Sequence, residues 1–519
     1  MAHPTTMTPR SWFVDAAESA VEGSLVGLCQ SQASPPLKLL RPFPEVKVAL
    51  RGNLDPSDSG NKVALVSGGG SGHEPGQVGY VGEGCLSAAV CGDVFASPSA
   101  EAVYRAIKAT TGAAGCLLIV LNYTGDRLNF GLAAERAKRE LGLEVEICFV
   151  GEDVALSELK TGRRGLAGTV LVHKICGAAA RAGRSLPELK ALADRVASRM
   201  GTIGVSLTAC NIPGQPPSSR IGPGEMEVGL GIHGEPGREK IAVPDRPAER
   251  VAALMCDAVA RGNEYVSCAP GDCVVLLVNN LGAATPIEMG LVARHAIAHC
   301  RRVLGLSVSR AIVGAFKTSL DMVGVSLTIL KVGGDGCEDL LPLLDEPTEA
   351  PAWPKATHRD PLHESDIFLP EEASGAGARS SKDADGLPPI SEEGRAAAKA
   401  AILGACAALV DCQEEVDALD RLAGGKRSPL SVFALPSSLS DLFLCACVIL
   451  SFSDGDCGST LRKGAEGIHK DLDTSFDFTS WSSLAGSVAH SVLVHMGGTS
   501  GAIYNIFFTA ASTRLATNT

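Results

Sequence analysis

At 519 residues the chain has room for two or three domains with full cores. Its hydrophobic share of 45% is that of an ordinary globular protein, aromatics make up only 4%, and glycine is abundant at 58 residues. The net charge of −12 excludes nucleic acid as the main partner, because phosphate binding demands clustered Lys and Arg.

Met1 to Ser11 lacks the long apolar core of a signal peptide, and Asp15 and Glu18 follow soon after, unlike an Arg-rich transit peptide. The first strong element is Val63–Val66, a short β-branched run that reads as a buried strand. It ends in Ser67-Gly-Gly-Gly-Ser-Gly72, followed by His73-Glu74-Pro75. Glycines let a backbone bend sharply and bring its N–H groups against a ligand. An imidazole closing such a loop is placed for hydrogen bonding or proton transfer, although a surface turn histidine would look the same. No Gly-Lys-Ser/Thr closes the loop, so it is not a Walker motif.

Cys116–Leu121 and Val145–Val150 read as two further strands, with apolar positions at helical spacing between them in Phe130–Leu141. This β-α-β order predicts a parallel sheet covered by helices, with ligands beyond the C-terminal strand ends. Gly68–His73 and Asn122-Tyr-Thr-Gly-Asp126 both occupy such positions. Ser185 opens another helix, with Pro187 in its first turn and Gly201 as its stop signal. A second αβ unit is expected from 201 to 355, with strands at Ile203–Leu207, Val274–Val278 and Val325–Val332. Within it lies Val228-Gly-Leu-Gly-Ile-His-Gly-Glu-Pro-Gly237, a histidine flanked by glycines. Residues 356–390 are polar, small and charged, as flexible linkers are. An Ala-rich helical stretch then runs from Ser391 to Leu422, so the third piece looks helical.

Seventeen cysteines lie scattered, mostly inside apolar runs such as those holding Cys116, Cys148 and Cys210. They read as reduced core thiols, which points to a cytoplasmic location. A dozen apolar residues, Leu442 to Ser453, are too few to span a bilayer, and no membrane partner is expected.

Five strings stand in order: Gly68-Gly-Gly-Ser-Gly-His-Glu-Pro75, Asn122-Tyr-Thr-Gly-Asp-Arg-Leu-Asn-Phe130, Gly162-Arg-Arg-Gly-Leu-Ala-Gly168, Leu230-Gly-Ile-His-Gly-Glu-Pro-Gly237 and Asp454-Gly-Asp-Cys-Gly-Ser-Thr460. Met496-Gly-Gly-Thr-Ser-Gly-Ala-Ile-Tyr504 joins them. Together they resemble the ATP-dependent dihydroxyacetone kinases, including the triokinase/FMN cyclase branch. The resemblance implies an α/β fold. Its N-terminal triose-binding domain, 12–355, has halves at about 12–200 and 201–355 and parallel or mixed sheets. It also implies a partial all-α nucleotide-binding domain at 391–519.

By that resemblance the activity is phosphorylation of dihydroxyacetone, and of glyceraldehyde as a further substrate, with ATP and Mg²⁺ as cofactors. His233 matches the histidine that adds to the ketone as a covalent hemiaminal. Capture through a carbonyl would reject glycerol, which has none. Asp126 matches the aspartate that accepts the proton of the phosphorylated hydroxyl, and His73 a second catalytic histidine. Gly70, Ser71 and Gly72 match the loop cradling the triose. Asp420, Asp454 and Asp456 match the metal carboxylates. Gly455, Cys457, Thr499 and Ser500 complete the ATP-binding set. A homodimer is implied.

Two departures shape expectation. Where the family has a lysine before Asn-Tyr-Thr-Gly-Asp, Leu121 stands here, which removes a cation from the cavity. The metal loop is interrupted at 425–453, an insert that reads as an intron translated in frame or, alternatively, as a genuine surface loop. Family members continue for about a hundred residues beyond this length. Residues 391–519 are therefore expected to fold incompletely and to make a poor kinase. Two other readings stay open: a non-catalytic triose-binding or regulatory product, and splitting of FAD to cyclic FMN.

Overall fold

The computed structural model describes residues 11–32, 36–54, 62–156, 162–334, 336–355, 360–362, 367, 389–411, 457–496 and 498–517. The chain divides into two compact units, Met1–Phe368 and Leu369–Thr519.

The first unit holds two six-stranded sheets, preceded in the chain by α1 (Ala20–Ser31) and followed by α8 (Leu340–Asp345). Sheet one comprises β1 (Leu37–Leu39), β2 (Val48–Arg51), β3 (Ala64–Ser71), β4 (Ala88–Val94), β5 (Cys116–Leu121) and β6 (Val145–Val150), in the order β1-β2-β4-β3-β5-β6. The four strands β4-β3-β5-β6 run parallel. Parallel neighbours need crossovers, and α2 (Ala100–Thr110) and α3 (Thr124–Leu141) supply them. Every residue of β5 is buried, which is why its sequence is continuously apolar: helices cover both faces. Side chains alternate between two cores. Leu118 and Val120 pack with Val103, Ile107 and Phe130. Leu117 and Ile119 pack with residues of α4 (Thr169–Arg181) and α5 (Leu186–Ser198).

Sheet two has the order β11-β10-β12-β7-β8-β9. Its strands are β7 (Met200–Ser206), β8 (Glu225–Val228), β9 (Glu239–Ala242), β10 (Cys273–Asn280), β11 (Ser307–Gly314) and β12 (Gly324–Lys331). Only β10 and β11 are parallel, joined by α7 (Pro286–Arg302). Val275 and Leu277 enter the same core as α4 and α5. Val274, Leu276 and Val278 face the opposite way, onto a core shared with α6 (Pro247–Ala260) and α7. One central apolar layer thus cements both sheets.

Two local expectations are corrected. Strand β3 does not stop at Val66 but runs on to Ser71. The glycines permit this: a Cβ on Gly68 would sit 2.3 Å from the Val90 carbonyl oxygen of β4. Gly201 is not a helix stop. α5 ends at Ser198, and Met200-Gly201 already belongs to β7.

In the second unit the described residues form α9 (Glu392–Asp411), α10 (Cys457–Asp471), α11 (Trp481–His495) and α12 (Gly498–Thr517). They share a core including Leu409, Leu461, Ile468, Val492 and Met496. The insert 425–453 lies outside the described residues, as does most of 356–390. Every cysteine whose side chain is described is a free thiol. Among the described residues no helix is long and apolar enough to cross a membrane.

Candidate active site

The strand registers place the C-terminal ends of β3, β5 and β6 side by side, with Gly68 opposite Val120 and Leu121 opposite Val150. The segments that follow carry His73, Asp126 and Glu152. Sheet two contributes the loop between β8 and β9, which carries His233, and the turn between β11 and β12, residues 315–323.

His73 is buried at 2% exposure, and its Nδ1 lies 2.8 Å from the Thr318 carbonyl oxygen. A carbonyl only accepts, so Nδ1 carries the proton and Nε2 keeps a lone pair. That Nε2 has no partner among the described residues. Burial, then the charges of Lys317 and His233, hold His73 well below the usual histidine range. It is therefore a neutral ring with a basic nitrogen available.

His233 is oriented by a carboxylate two residues on. Glu235 Oε1 lies 2.8 Å from His233 Nδ1, and Oε2 accepts the His233 backbone N–H at 2.9 Å. Gly231 makes the fold-back possible: a Cβ there would lie 2.0 Å from Glu235 Oε2. Burial pushes the Glu235 carboxyl up, but the bonds from His233 outweigh it and bring it to about 2. The ring sits in an aromatic box. Its centroid lies 4.7 Å from Tyr123, 4.8 Å from His73 and 5.3 Å from Phe95, each edge-on. Its side chain remains 22% exposed, so the box is open on one side.

Asp126 occupies the first turn of α3 and is 6% exposed. Oδ1 accepts from Ser97 Oγ at 2.5 Å, while Oδ2 faces Gly69, 3.7 Å from where a Cβ would stand. Burial raises its pKa; the Ser97 bond and the charges of Lys317 and His233 oppose that rise. Of the expected cradle, Gly72 takes a positive φ of 95° against the Phe95 ring, and a Cβ on Gly70 would lie 2.8 Å from the Phe95 backbone. The Ser71 hydroxyl donates to the Gly92 carbonyl at 2.7 Å.

Two devices hold these parts. Arg164, from the Gly-Arg-Arg-Gly string, pairs with Asp153 at 2.6 Å and donates to the Gly229 carbonyl at 2.7 Å, fixing the His233 loop. The 315–323 turn braces both histidines: Thr318 carries the acceptor for His73, Leu320 donates its N–H to Gly72, and Ser319 Oγ donates to the Ile232 carbonyl. The sequence reading missed Phe95, Ser97, Glu235, Lys317 and this turn. Only Glu235, inside the quoted His233 string, carried a signal, since a carboxylate two residues from an imidazole is within reach.

Of the expected nucleotide-side residues, Asp420, Asp454, Gly455 and Asp456 lie outside the described residues. Cys457 begins α10, and Thr499 and Ser500 lie in the first turn of α12, with side chains not described. Among the described residues no group of three His, Cys, Asp or Glu could hold a metal. A surface cavity of about 680 Å³ beside α7 carries none of this chemistry. Its Arg301 already donates to the Pro361 and Leu362 carbonyls, and His299 pairs with Asp257.

Residues 38–352 match the Dak1 domain, and 451–519 match the DAK2 domain. A putative 3,4-dihydroxy-2-butanone kinase of Solanum lycopersicum is 41% identical over 489 residues, 93% of this chain and 75% of that protein. A triokinase/FMN cyclase of Mus musculus is 39% identical over 523 residues, 98% of this chain and 80% of its own. Among solved structures, the dihydroxyacetone kinase from C. freundii in complex with AMP-PNP and Mg²⁺ superposes with a TM-score of 0.67 at 34% identity, covering 98% of this chain and 84% of that one.

Proposed function

This chain belongs to the dihydroxyacetone kinase family of ATP-dependent kinases, and we propose that within it His233 captures the ketone covalently before phosphorylation. The orientation of His233 carries the reading. Glu235 takes the Nδ1 side, which leaves the lone pair of Nε2 to act as the nucleophile. When Nε2 bonds the carbonyl carbon, positive charge develops on the ring, and the Glu235 carboxylate is already there to balance it. The carbonyl electron pair moves to oxygen, which takes up a proton. Glycerol offers no such carbon, so capture selects by reactivity rather than by shape.

Once the triose is held, a terminal hydroxyl has to lose its proton as it attacks phosphorus. Asp126 Oδ2, the oxygen not spent on Ser97, is the acceptor in this reading, with His73 Nε2 as the second base beside it. Asp420, Asp454 and Asp456 are proposed as the Mg²⁺ carboxylates, with Gly455, Cys457, Thr499 and Ser500 on the nucleotide. The metal-nucleotide complex supplies charge neutralisation when bound. Support for that set is the sequence resemblance and the family match. Glyceraldehyde has a carbonyl for the same capture and is a second proposed substrate. Homodimer formation is proposed on resemblance alone, and sedimentation velocity tests it.

The experiment is NMR with dihydroxyacetone labelled with ¹³C at C2, added to the whole chain without ATP. Capture moves the signal from the ketone to the tetrahedral region, and His233→Ala abolishes the shift. A ketone signal unchanged by the parent chain, or an adduct that survives His233→Ala, overturns the reading. Coupled-assay turnover with Mg-ATP then tests phosphorylation separately.

A further inference from the structure

We propose that Lys317 supplies the positive charge of the triose cavity, a positioning residue that favours the ionised form of Asp126; this rests on the reading of the cavity given above. Lys317 lies in the turn between β11 and β12 and is 2% exposed. Its backbone is fixed. The Asn279 side chain accepts from the N–H of Phe316 at 2.8 Å and of Lys317 at 3.0 Å, and donates to the Lys317 carbonyl at 2.8 Å. Its side chain passes Gly76, where a Cβ would stand 3.6 Å from Lys317 Cγ. The next residue, Thr318, is the one that holds His73.

The ammonium donates to no acceptor among the described residues. The other buried lysine among the described residues of this unit behaves differently: Lys174 donates to the Leu343 carbonyl at 2.9 Å and lies 6.0 Å from the Trp353 ring. A buried cation is costly unless opposite charge faces it. The carboxylates acting on Lys317 are Asp126 foremost, then Glu152 and Glu74. The titratable groups that share an electrostatic interaction with it are Asp126 on α3, Glu152 after β6, His73 and Glu74 after β3 and His173 on α4, none of them in a direct ion pair with it among the described residues; Arg163 acts on Glu152. Tyr80 spends its hydroxyl on the Phe316 carbonyl.

Position 121 explains why the charge must come from here. It closes β5, directly before Asn122 and five residues before Asp126, and Leu121 is buried there with no polar atom to offer. The cavity's cation therefore reaches Asp126 from sheet two instead of sheet one. Burial lowers the Lys317 pKa to about 8 despite the three carboxylates. The group is a cation at neutral pH and loses its charge as pH rises through that value.

Two arms test this on the full chain. In the first, trace acetic anhydride labels ligand-free protein across a pH series, read by peptide mass. Lys317 should inflect near pH 8, and Asp126→Asn should lower that inflection by roughly half a unit or more. An inflection unmoved by Asp126→Asn overturns the proposal, whatever happens at His233. In the second, the C2-labelled ketone adduct and the kinase rate are followed against pH. Lys317→Met should leave the adduct in place, lower the kinase rate about tenfold or more and erase its alkaline limb near pH 8. It should also move the acid limb of kcat/KM upward, because Asp126 then protonates more readily. Lys317→Arg should keep the kinase rate without the alkaline limb, and Leu121→Lys with Lys317→Met should restore that rate. Lys317→Met within twofold of the parent, with the same two limbs, overturns the proposal. A parent chain that forms no adduct sinks the capture at His233, while the acylation arm still decides the link between Lys317 and Asp126.

Discussion

The Nδ1 of His73 donates across the domain to the carbonyl of Thr318, so a ring hung from sheet one takes its tautomer from sheet two. That bond leaves Nε2 as a base with no other partner among the described residues. Replacing His73 with Ala should lower kcat by about 10²- to 10⁴-fold while leaving the ketone adduct in place. Steady-state rates beside the C2-labelled NMR spectrum separate the two effects. Loss of the adduct itself would mean that His73 serves capture rather than proton transfer.

Glu235→Gln keeps the shape of the His233 partner and removes its charge. Capture should weaken by roughly 100-fold, because the ring loses both its orientation and the anion that balances it. The pair also predicts acid behaviour. A carboxylate lowered to about 2 contributes stability that is present above the ordinary carboxylate pKa and is lost only as pH falls through about 2. Acid melts of parent and Glu235→Gln should therefore converge at the acid end of that window.

Asp126→Asn should abolish most phosphorylation, about 10²-fold or more in kcat, and spare capture. Asparagine still accepts from Ser97 but takes no proton. Single-turnover transfer from Mg-ATP against adduct yield is the measurement.

Arg164→Ala leaves Asp153, 2% exposed at its side chain, buried without its cation. The expected loss is about 3–5 kcal/mol of unfolding free energy, read by denaturant titration. Arg164→Lys should recover part of that stability but not the full capture, since a lysine lacks the fork that holds Asp153 and the Gly229 carbonyl together.

Glu152 gives a prediction of opposite sign. Burial raises its carboxyl to about 7, and its Oε2 has no partner among the described residues. A raised carboxyl stabilises the fold below its ordinary pKa, and that contribution is lost as pH climbs through about 7. Glu152→Gln keeps the acceptor for the Leu166 N–H and should be more stable than the parent at pH 8 by about 1 to 3 kcal/mol, and little different at pH 4. Thermal melts at the two values decide it.

Much of the fold was legible where burial is two-sided. β5 declares itself by six apolar residues in a row, and α3 by its helical spacing. β3 was read short because glycines signal a loop, whereas here they let β4 approach the strand. The helix ending near Gly201 was misplaced for a related reason: a glycine that opens a strand looks the same as one that closes a helix. His73, Asp126 and His233 were legible because an imidazole or carboxylate among glycines stands out in a sequence by its side chain. The 315–323 turn was not, because most of its work is done by main-chain groups, which any sequence possesses. Lys317 was invisible for another reason: a lone lysine reads as solvated until burial is known.

That turn has a consequence for how the protein tolerates change. The proposed nucleophile and base lie on segments of separate sheets, yet both are tethered to the same few links of chain. Damage at Thr318 or Ser319 should not produce a graded spectrum of partial defects. It should strike both functions in step, so that variants here cluster as all-or-none phenotypes, while substitutions on the outer helices scatter independently.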